Sequence, residues 1–395
     1  MKPLSGITVL DFSRVLAAPL ATQTLAELGA TVVKVERPGR GDESRGWEPR
    51  LPAGESAYFF AFNRGKQSIT LDLKSARGRR IARDLAARAD VLVENFLPGT
   101  LAKLGLGYEE LAELNPGLVY VSNTGFGQDG PYRDRKGYDT IFQALSGIMH
   151  LTGHPDGPPA KAGIPVSDLA SGLWTAIAVL TGLLGRANTG RGSQVDVAMM
   201  DVQVSLLALA AARLFAYDED PMRQGTQHPG RVPSAAFQCR DGRWLHLSAS
   251  DQHWAPLCEV LELTELAADP DLAANAGRLD QRERVLGALR AAFAQRPHAE
   301  LARALRARDV PVGEVNSVRE ALEDPNTVAR GMVGHFEHPA EGRFPALRTP
   351  LRMNGYEDPE PAVPPRLGAD TGVVLAEQLG LSEAEVAALR AEGVI

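Results

Sequence analysis

Cysteine is almost absent: Cys239 and Cys258 are the only two in 395 residues. A disulfide framework and a cysteine-based metal site are thereby excluded, and a reducing compartment is the expectation. An excess of positive charge is missing as well. The formal net charge is −7, which argues against a general nucleic-acid-binding surface, so an anionic ligand would need a local cluster of Arg and Lys. The apolar run Leu169–Leu184 is too short, and too rich in Gly, Ser and Thr, for a membrane span of roughly 20 apolar residues. The opening Met-Lys-Pro-Leu-Ser-Gly shows no signal-peptide pattern, so a cytoplasmic protein is expected, with no membrane partner.

Several catalytic and cofactor motifs are missing. There is no G-x-G-x-x-G loop, no H-E-x-x-H, no C-x-x-C and no G-x-S-x-G, and Gly65-Lys66 lacks the preceding glycines of a P-loop. His150 and His154 are spaced four apart, but Gly153 and Pro155 would break the helix that aligns them, so no metal site is expected. His335 and His338 flank a turn and are expected to be exposed. Neither a metal nor a redox cofactor is implied.

What is present is a globular composition, 44% hydrophobic and 23% charged, long enough for two domains. Ile7–Phe12 reads as a strand, Ala17–Leu28 as a helix closed by Gly29, and Thr31–Glu36 as a second strand. This β-α-β unit implies an α/β fold with a parallel sheet. Further strands are expected at Ser68–Leu73, Val91–Asn95, Leu118–Ser122 and Gln194–Ala198. Helices are expected at Ala76–Ala87 and, as a short turn carrying Lys103, at Leu101–Leu106. Glu36 and Arg37 end the second strand, where doubly wound folds contact a nucleotide ribose. Arg133, Arg135 and Lys136 form a cationic cluster beyond the Gly-rich stretch Thr124–Pro131.

A large domain covering 1–200 is expected, completed by 325–395. A long helix from about Met200 to Phe215 and a polar linker Tyr217–Ser234 occupy 201–234. A smaller α+β domain spans 235–310, with a hairpin across Arg240-Asp-Gly242 and helices near Ser250–Leu261, Arg278–Ala294 and His298–Arg308. Residues 311–324 read as a return linker. Thr371–Leu379 and Ser382–Glu392 read as closing helices.

The chain is organised around Gly163–Gly172 and the run that follows. Pro165 and Ser167 are expected to delay the helix start to about Asp168, and small or apolar residues then continue to Arg186. That pattern predicts a buried helix with one carboxylate at its mouth. An aspartate there is ordinarily an N-cap. The sharper reading is a catalytic carboxylate, kept ionised by the helix terminus and flanked by Ala170, Ser171 and Gly172.

Taken together, Leu4–Phe12, Leu28–Gly39, Asn63–Asp72, Asp90–Phe96, Gly137–Asp139, Ser167–Gly172, Thr189–Gly192, Val310–Gly313 and Leu367–Thr371 resemble the class III CoA-transferases. This is the family of formyl-CoA transferase and carnitine CoA-transferase. The resemblance covers essentially the whole chain. Thr226–Pro233 and Ser146–Gly153 look most like the branch that uses succinyl-CoA and small dicarboxylates such as glutarate. The resemblance implies a Rossmann-like large domain, a smaller α+β domain and an interlocked homodimer. It implies no permanently bound cofactor, with coenzyme A or acyl-CoA and a small carboxylate as substrates.

On these positions the family's nucleophile falls on Asp168. Its CoA contacts fall on Val15, Ala17, Arg37, Leu71, Asn95, Phe96, Lys103 and Lys136. Arg14, Tyr138, His228 and Arg231 are candidates for contacts with the acceptor substrate. Formyl-CoA transferase carries His and Gln where this chain has Arg14 and Leu16, and its run of four glycines is missing here, so oxalate chemistry is not implied. Two rival readings stay open at this point. A 2-methylacyl-CoA racemase would need a His where Tyr138 stands, and a tyrosine hydroxyl, with its pKa near 10, is a poor substitute base. A non-catalytic CoA-binding protein would have no need of Asp168.

Overall fold

The computed structural model describes residues 1–395. In chain order the elements are β1 (Thr8–Asp11), α1 (Ala17–Glu27), β2 (Thr31–Glu36), α2 (Ala57–Phe62), β3 (Gln67–Thr70), α3 (Ala76–Ala86), β4 (Val91–Glu94), α4 (Tyr108–Leu114), β5 (Val119–Thr124), α5 (Asp139–Leu145), α6 (Ile148–Leu151), α7 (Val166–Thr189), β6 (Ser193–Ala198), α8 (Met199–Ser205) and α9 (Ala208–Tyr217). After them come β7 (Ser234–Gln238), β8 (Trp244–Ser248), α10 (Asp251–Val260), α11 (Thr264–Ala268), α12 (Asn275–Asp280), α13 (Arg282–Phe293), α14 (His298–Arg306), β9 (Val312–Glu314), α15 (Val318–Glu323) and α16 (Pro325–Ala329). The chain closes with β10 (Val333–His338), β11 (Gly342–Leu347), α17 (Thr371–Leu379) and α18 (Glu383–Ala391). Two compact units result. The first comprises Met1–Ile148, Lys161–Asp218 and Asn326–Ile395, and the second Met149–Ala160 and Glu219–Pro325.

The first unit is built on a six-stranded sheet in the order β3-β2-β1-β4-β5-β6, parallel throughout. This is the doubly wound order, and its topological switch lies between β1 and β4. The strands are apolar and β-branched because both faces are covered. Val9, Val32, Val91, Val93, Val119 and Val121 pack on one side against α1 and α7. Leu10, Val33, Ile69 and Leu92 face the other way, toward Ile81 and Leu85 of α3, Leu375 of α17 and Leu389 of α18. Helices α1 and α7 cross closely. A Cβ at Gly172 would stand 2.5 Å from the Ala17 carbonyl oxygen, so only glycine fits there.

The second unit carries the antiparallel sheet β7-β8-β9. It closes on a core of Phe237, Leu245, Leu247, Leu257, Leu286, Leu289, Phe293 and Leu301. Arg278 is wholly buried there, bonded to the carbonyls of Val232, Leu272 and Ala273 and to Asp251.

Six expectations need correction. Helix α7 begins at Val166, not near Asp168, with Pro165 as N-cap. At 24 residues it is also long and apolar enough to cross a membrane, although the apolar run seemed too short. Nor is it buried all round. Its small residues Ser171, Gly172, Thr175 and Gly182 face the protein, and Leu173, Ile177 and Leu184 are exposed at 58%, 48% and 64%. The single helix expected from Met200 to Phe215 is two, α8 and α9, bent by 61°. The Ser205 hydroxyl donates to the Val202 carbonyl at the break, an alternative to the helical ladder. The stretch read as a return linker supplies the edge strand β9 and the capped helix α15. Finally, His335 is exposed as expected, but His338 is buried against the Phe60 ring, 4.8 Å between centroids.

Candidate functional site

A cleft of about 610 Å³ opens beyond the carboxyl ends of β1 to β4, beside the switch point. Arg14, Arg37, Leu71 and Phe96 line it, with Arg40, Trp47 and Lys74. Apolar walls with exposed guanidinium and ammonium groups suit an elongated ligand that is part apolar and part polyanionic.

The loop Ser13–Leu16 forms one lip, and a buried ion network shapes it. Val15 has φ of +70°, a costly conformation for a β-branched residue. Its N–H donates to both Asp42 carboxylate oxygens at 3.2 Å. Asp42 in turn pairs with Lys34 at 3.0 Å, both side chains essentially unexposed, and the Lys34 ammonium donates to the Ser13 carbonyl at 2.7 Å. Burial opposes the Asp42 charge, yet Lys34 and the Ser44 amide together hold its carboxyl well below the usual range. Alongside lies Asp11, which accepts from Lys66 at 3.1 Å, Ser13 and Thr22. Burial lowers the Lys66 ammonium to about 8.

Asn95 ties the β1 and β4 loops together. Its Oδ1 accepts from the Arg14 N–H at 2.9 Å and its Nδ2 donates to the Arg14 carbonyl at 2.8 Å. The Arg14 guanidinium lies over the Phe96 ring, 4.6 Å from its centroid, and pairs with Glu43 at 2.7 Å. Glu36, considered above for a ribose contact, is buried and engaged. It takes two bonds from Arg45, one from Ser68 and one from the Asp42 N–H. Arg37 beside it is exposed on the cleft.

Asp168 is the third residue of α7, not its N-cap. Helix termini favour a negative charge, and the sequence suggested an ionised carboxylate held there. The structure shows the opposite balance: burial, and then the neighbouring Asp139 charge, push the Asp168 carboxyl up to about 7. The true caps lie elsewhere. The Ser167 N–H donates to Asp139 Oδ1 at 2.8 Å and its hydroxyl to the Asp139 carbonyl at 3.1 Å. One turn past Asp168, Gly172 rests on the Ala17 carbonyl, which brings the start of α1 and its lip loop to the same end of α7.

Tyr58 on α2 was not anticipated. Its ring meets Trp47 of the cleft edge to face, 5.1 Å between centroids. Burial and the charges of Asp168, Asp139 and Asp42 push its hydroxyl up to about 12. Tyr58 therefore touches the cleft wall through Trp47 and feels the Asp168 charge. Only its place in the Trp47–Phe62 aromatic group could have signalled it.

The remaining residues separate. Val15, Ala17, Arg37, Leu71, Asn95 and Phe96 gather around the cleft and its lip. Lys103 and Lys136 are exposed and do not line the cleft. Tyr138 is 74% exposed at the start of α5. His228 and Arg231 lie in the second unit, both exposed. The Gly125–Gly130 loop has two of its amides already occupied: Gly127 donates to Thr124 and Gln128 to Asp196.

The sequence profile of CoA-transferase family III matches residues 4–371. A succinyl-CoA:glutarate CoA-transferase of Mus musculus is 39% identical over 395 residues, covering 100% of this chain and 91% of that protein. A succinate–glutarate CoA-transferase of Agrobacterium fabrum is 39% identical, with 95% of each chain covered. A crystal structure of a CAIB/BAIF family protein from Brucella suis superposes with a TM-score of 0.85 at 38% identity, covering 95% of this chain and 99% of that one. With a Rossmann-ordered sheet, a cationic cleft and a family match along nearly its whole length, this chain belongs to CoA-transferase family III.

Proposed function

We propose that the enzyme moves CoA from succinyl-CoA to a small dicarboxylate of the glutarate type, with Asp168 as the nucleophile. The observation that carries this is the placement of Asp168, half-buried in the first turn of α7 at the end where α1 and the cleft lip meet. The names of the similar Mus musculus and Agrobacterium fabrum proteins support the substrate pair.

The steps are these. An Asp168 carboxylate oxygen attacks the thioester carbonyl of the donor. The C–S bond breaks, CoA leaves as thiolate, and a mixed anhydride forms. The thiolate attacks the aspartyl carbonyl and releases the donor carboxylate, leaving an aspartyl-CoA thioester. The acceptor carboxylate attacks that thioester and expels the thiolate again, giving a second anhydride. The thiolate then takes the acceptor acyl group and restores the Asp168 carboxylate. A carboxyl titrating near neutrality is a stronger nucleophile when ionised than one held at ordinary acidity.

Val15, Ala17, Leu71, Asn95 and Phe96 would contact the CoA moiety, and Arg37, Lys103 and Lys136 its charged groups. Arg14, Tyr138, His228 and Arg231 remain proposals for the acceptor, although the Arg14 charge is already met by Glu43. The same reading includes a cytoplasmic location and a homodimer, the dimer supported by the large apolar residues exposed on α7 and α9. Succinyl-CoA incubated with glutarate and other small carboxylates should yield a new acyl-CoA, detected by mass, that disappears in the Asp168→Ala protein. Substantial turnover by Asp168→Ala would overturn the assignment. Deuterium wash-in at the α-carbon of a 2-methylacyl-CoA, without transfer, would establish a racemase instead.

A further inference from the structure

The segment that delivers Asp168 to the site is held by a neighbouring helix and not by itself. Helix α7 has no side-chain cap of its own, and Pro165 stands at its N-cap position. The first turn is anchored from α5. Asp139 Oδ1 accepts the Ser167 N–H at 2.8 Å, and the Asp139 carbonyl accepts the Ser167 hydroxyl at 3.1 Å. Asp139 Oδ2 accepts from Gln143 Nε2 at 2.6 Å. Gln143 Oε1 then accepts the Ala162 N–H at 2.8 Å. Gln143 and Ser167 are both fully buried. One aspartate and one glutamine thus grip the approach to α7 at two points, Ala162 and Ser167, immediately before Asp168.

We propose that Asp139 and Gln143 form a clamp that fixes the first turn of α7, and that both are positioning residues for the transfer reaction at Asp168. This rests on Asp168 being the nucleophile. The clamp has two separable parts. Gln143 acts through geometry alone. Asp139 acts through geometry and through its charge, which lies close enough to Asp168 to disfavour a second carboxylate. No other charge competes for this role among the elements packed on α7. Glu27, the titratable residue of α1, sits at its far end bonded to Arg64. Asp196 of β6 and Asp201 of α8 interact with each other, and Tyr58 of α2 is neutral near pH 7.

The test compares kcat, KM and the pH dependence of kcat in D139N, Q143L and the double variant D139N/Q143E, with folding checked by circular dichroism. D139N keeps an acceptor for Ser167 but turns an amide toward the Gln143 amide. Its kcat should fall on the order of ten- to a hundredfold, with KM for the acyl-CoA little changed. Its acid limb should move to lower pH because Asp168 ionises more readily. Q143L leaves the Asp139 charge in place, so its kcat should fall while the acid limb stays where it was. In D139N/Q143E the hydrogen bonds regain complementary donors and acceptors, and much of the lost kcat should return. Wild-type kcat in Q143L, an unmoved acid limb in D139N, or a double variant no better than D139N would each overturn the clamp. If D139N alone does not fold, Q143L and the double variant decide. All three variants retain Asp168. An inactive Asp168→Ala beside clamp variants of wild-type behaviour would therefore sink this inference alone, whereas an active Asp168→Ala would sink the functional reading beneath it.

Discussion

Replacing Asp168 by Asn should make the enzyme inactive and more stable. In the unfolded chain this carboxyl titrates near its ordinary value of 3.8, and in the fold it titrates near 7. The folded state thus holds the proton more tightly. The stability this contributes is complete below pH 4 and is lost as pH rises through 7. A difference of about three in pKa corresponds to about 4 kcal/mol at 1.36 kcal/mol each. Partial exposure reduces that, leaving a cost of about 2–4 kcal/mol above pH 8. Asparagine has the carboxyl's shape without its charge, so the variant escapes the cost. Urea unfolding of both proteins at pH 8 and pH 5.5 measures it. The variant should gain about 2–4 kcal/mol at pH 8, and the gain should shrink at pH 5.5, by about 2 kcal/mol where the full shift applies and by less where exposure reduces it. Glu94, which burial pushes up to about 7, tilts the wild-type curve the same way but cancels in the difference. A variant no more stable than wild type at pH 8, or equally stabilised at both pH values, would refute the description of Asp168 as a carboxylate ionised at a cost.

The Lys34–Asp42 pair is buried at both ends, so Asp42→Leu alone should destabilise by about 3–5 kcal/mol by stranding the ammonium. The double variant Lys34→Met/Asp42→Leu should recover most of that stability but still raise KM for acyl-CoA, because Val15 loses the carboxylate that holds it. Equal stability of the single and double variants, measured by urea unfolding, would contradict the pairing. Sedimentation equilibrium should return the mass of two chains, and Leu173→Glu with Ile177→Glu should reduce it toward one. A monomeric wild-type protein would remove the dimer from the proposal.

Much of the first unit was legible because parallel strands buried on both faces announce themselves as apolar, β-branched runs. Thr31–Glu36 even emerged with its observed limits. The charges inside those strands gave no sign of their fate: Lys34 and Glu36 look like surface residues in sequence and are buried through partners up to 32 positions away. The start of the helix that carries Asp168 was not legible, because the cap comes from Asp139 across a gap of 28 residues and local capping rules see only neighbours. The direction of the Asp168 acidity was misjudged because burial, and then the Asp139 charge, outweigh the helix terminus. Where α7 is apolar all round, periodicity could not say which side faces the protein. The small residues turned inward because α1 approaches within backbone contact.

The inward turn of Glu36 has a consequence for what this sheet can recognise. In a dinucleotide-binding Rossmann frame an acid at the end of the second strand receives the two hydroxyls of a ribose. Here Arg45 and Ser68 occupy that acid from within, and the next residue, Arg37, faces outward in its place. The frame is unchanged and its polarity is inverted. A strand end that elsewhere presents a carboxylate to a sugar hydroxyl here presents a guanidinium to the cleft, a polarity that suits a phosphorylated sugar better than a free one.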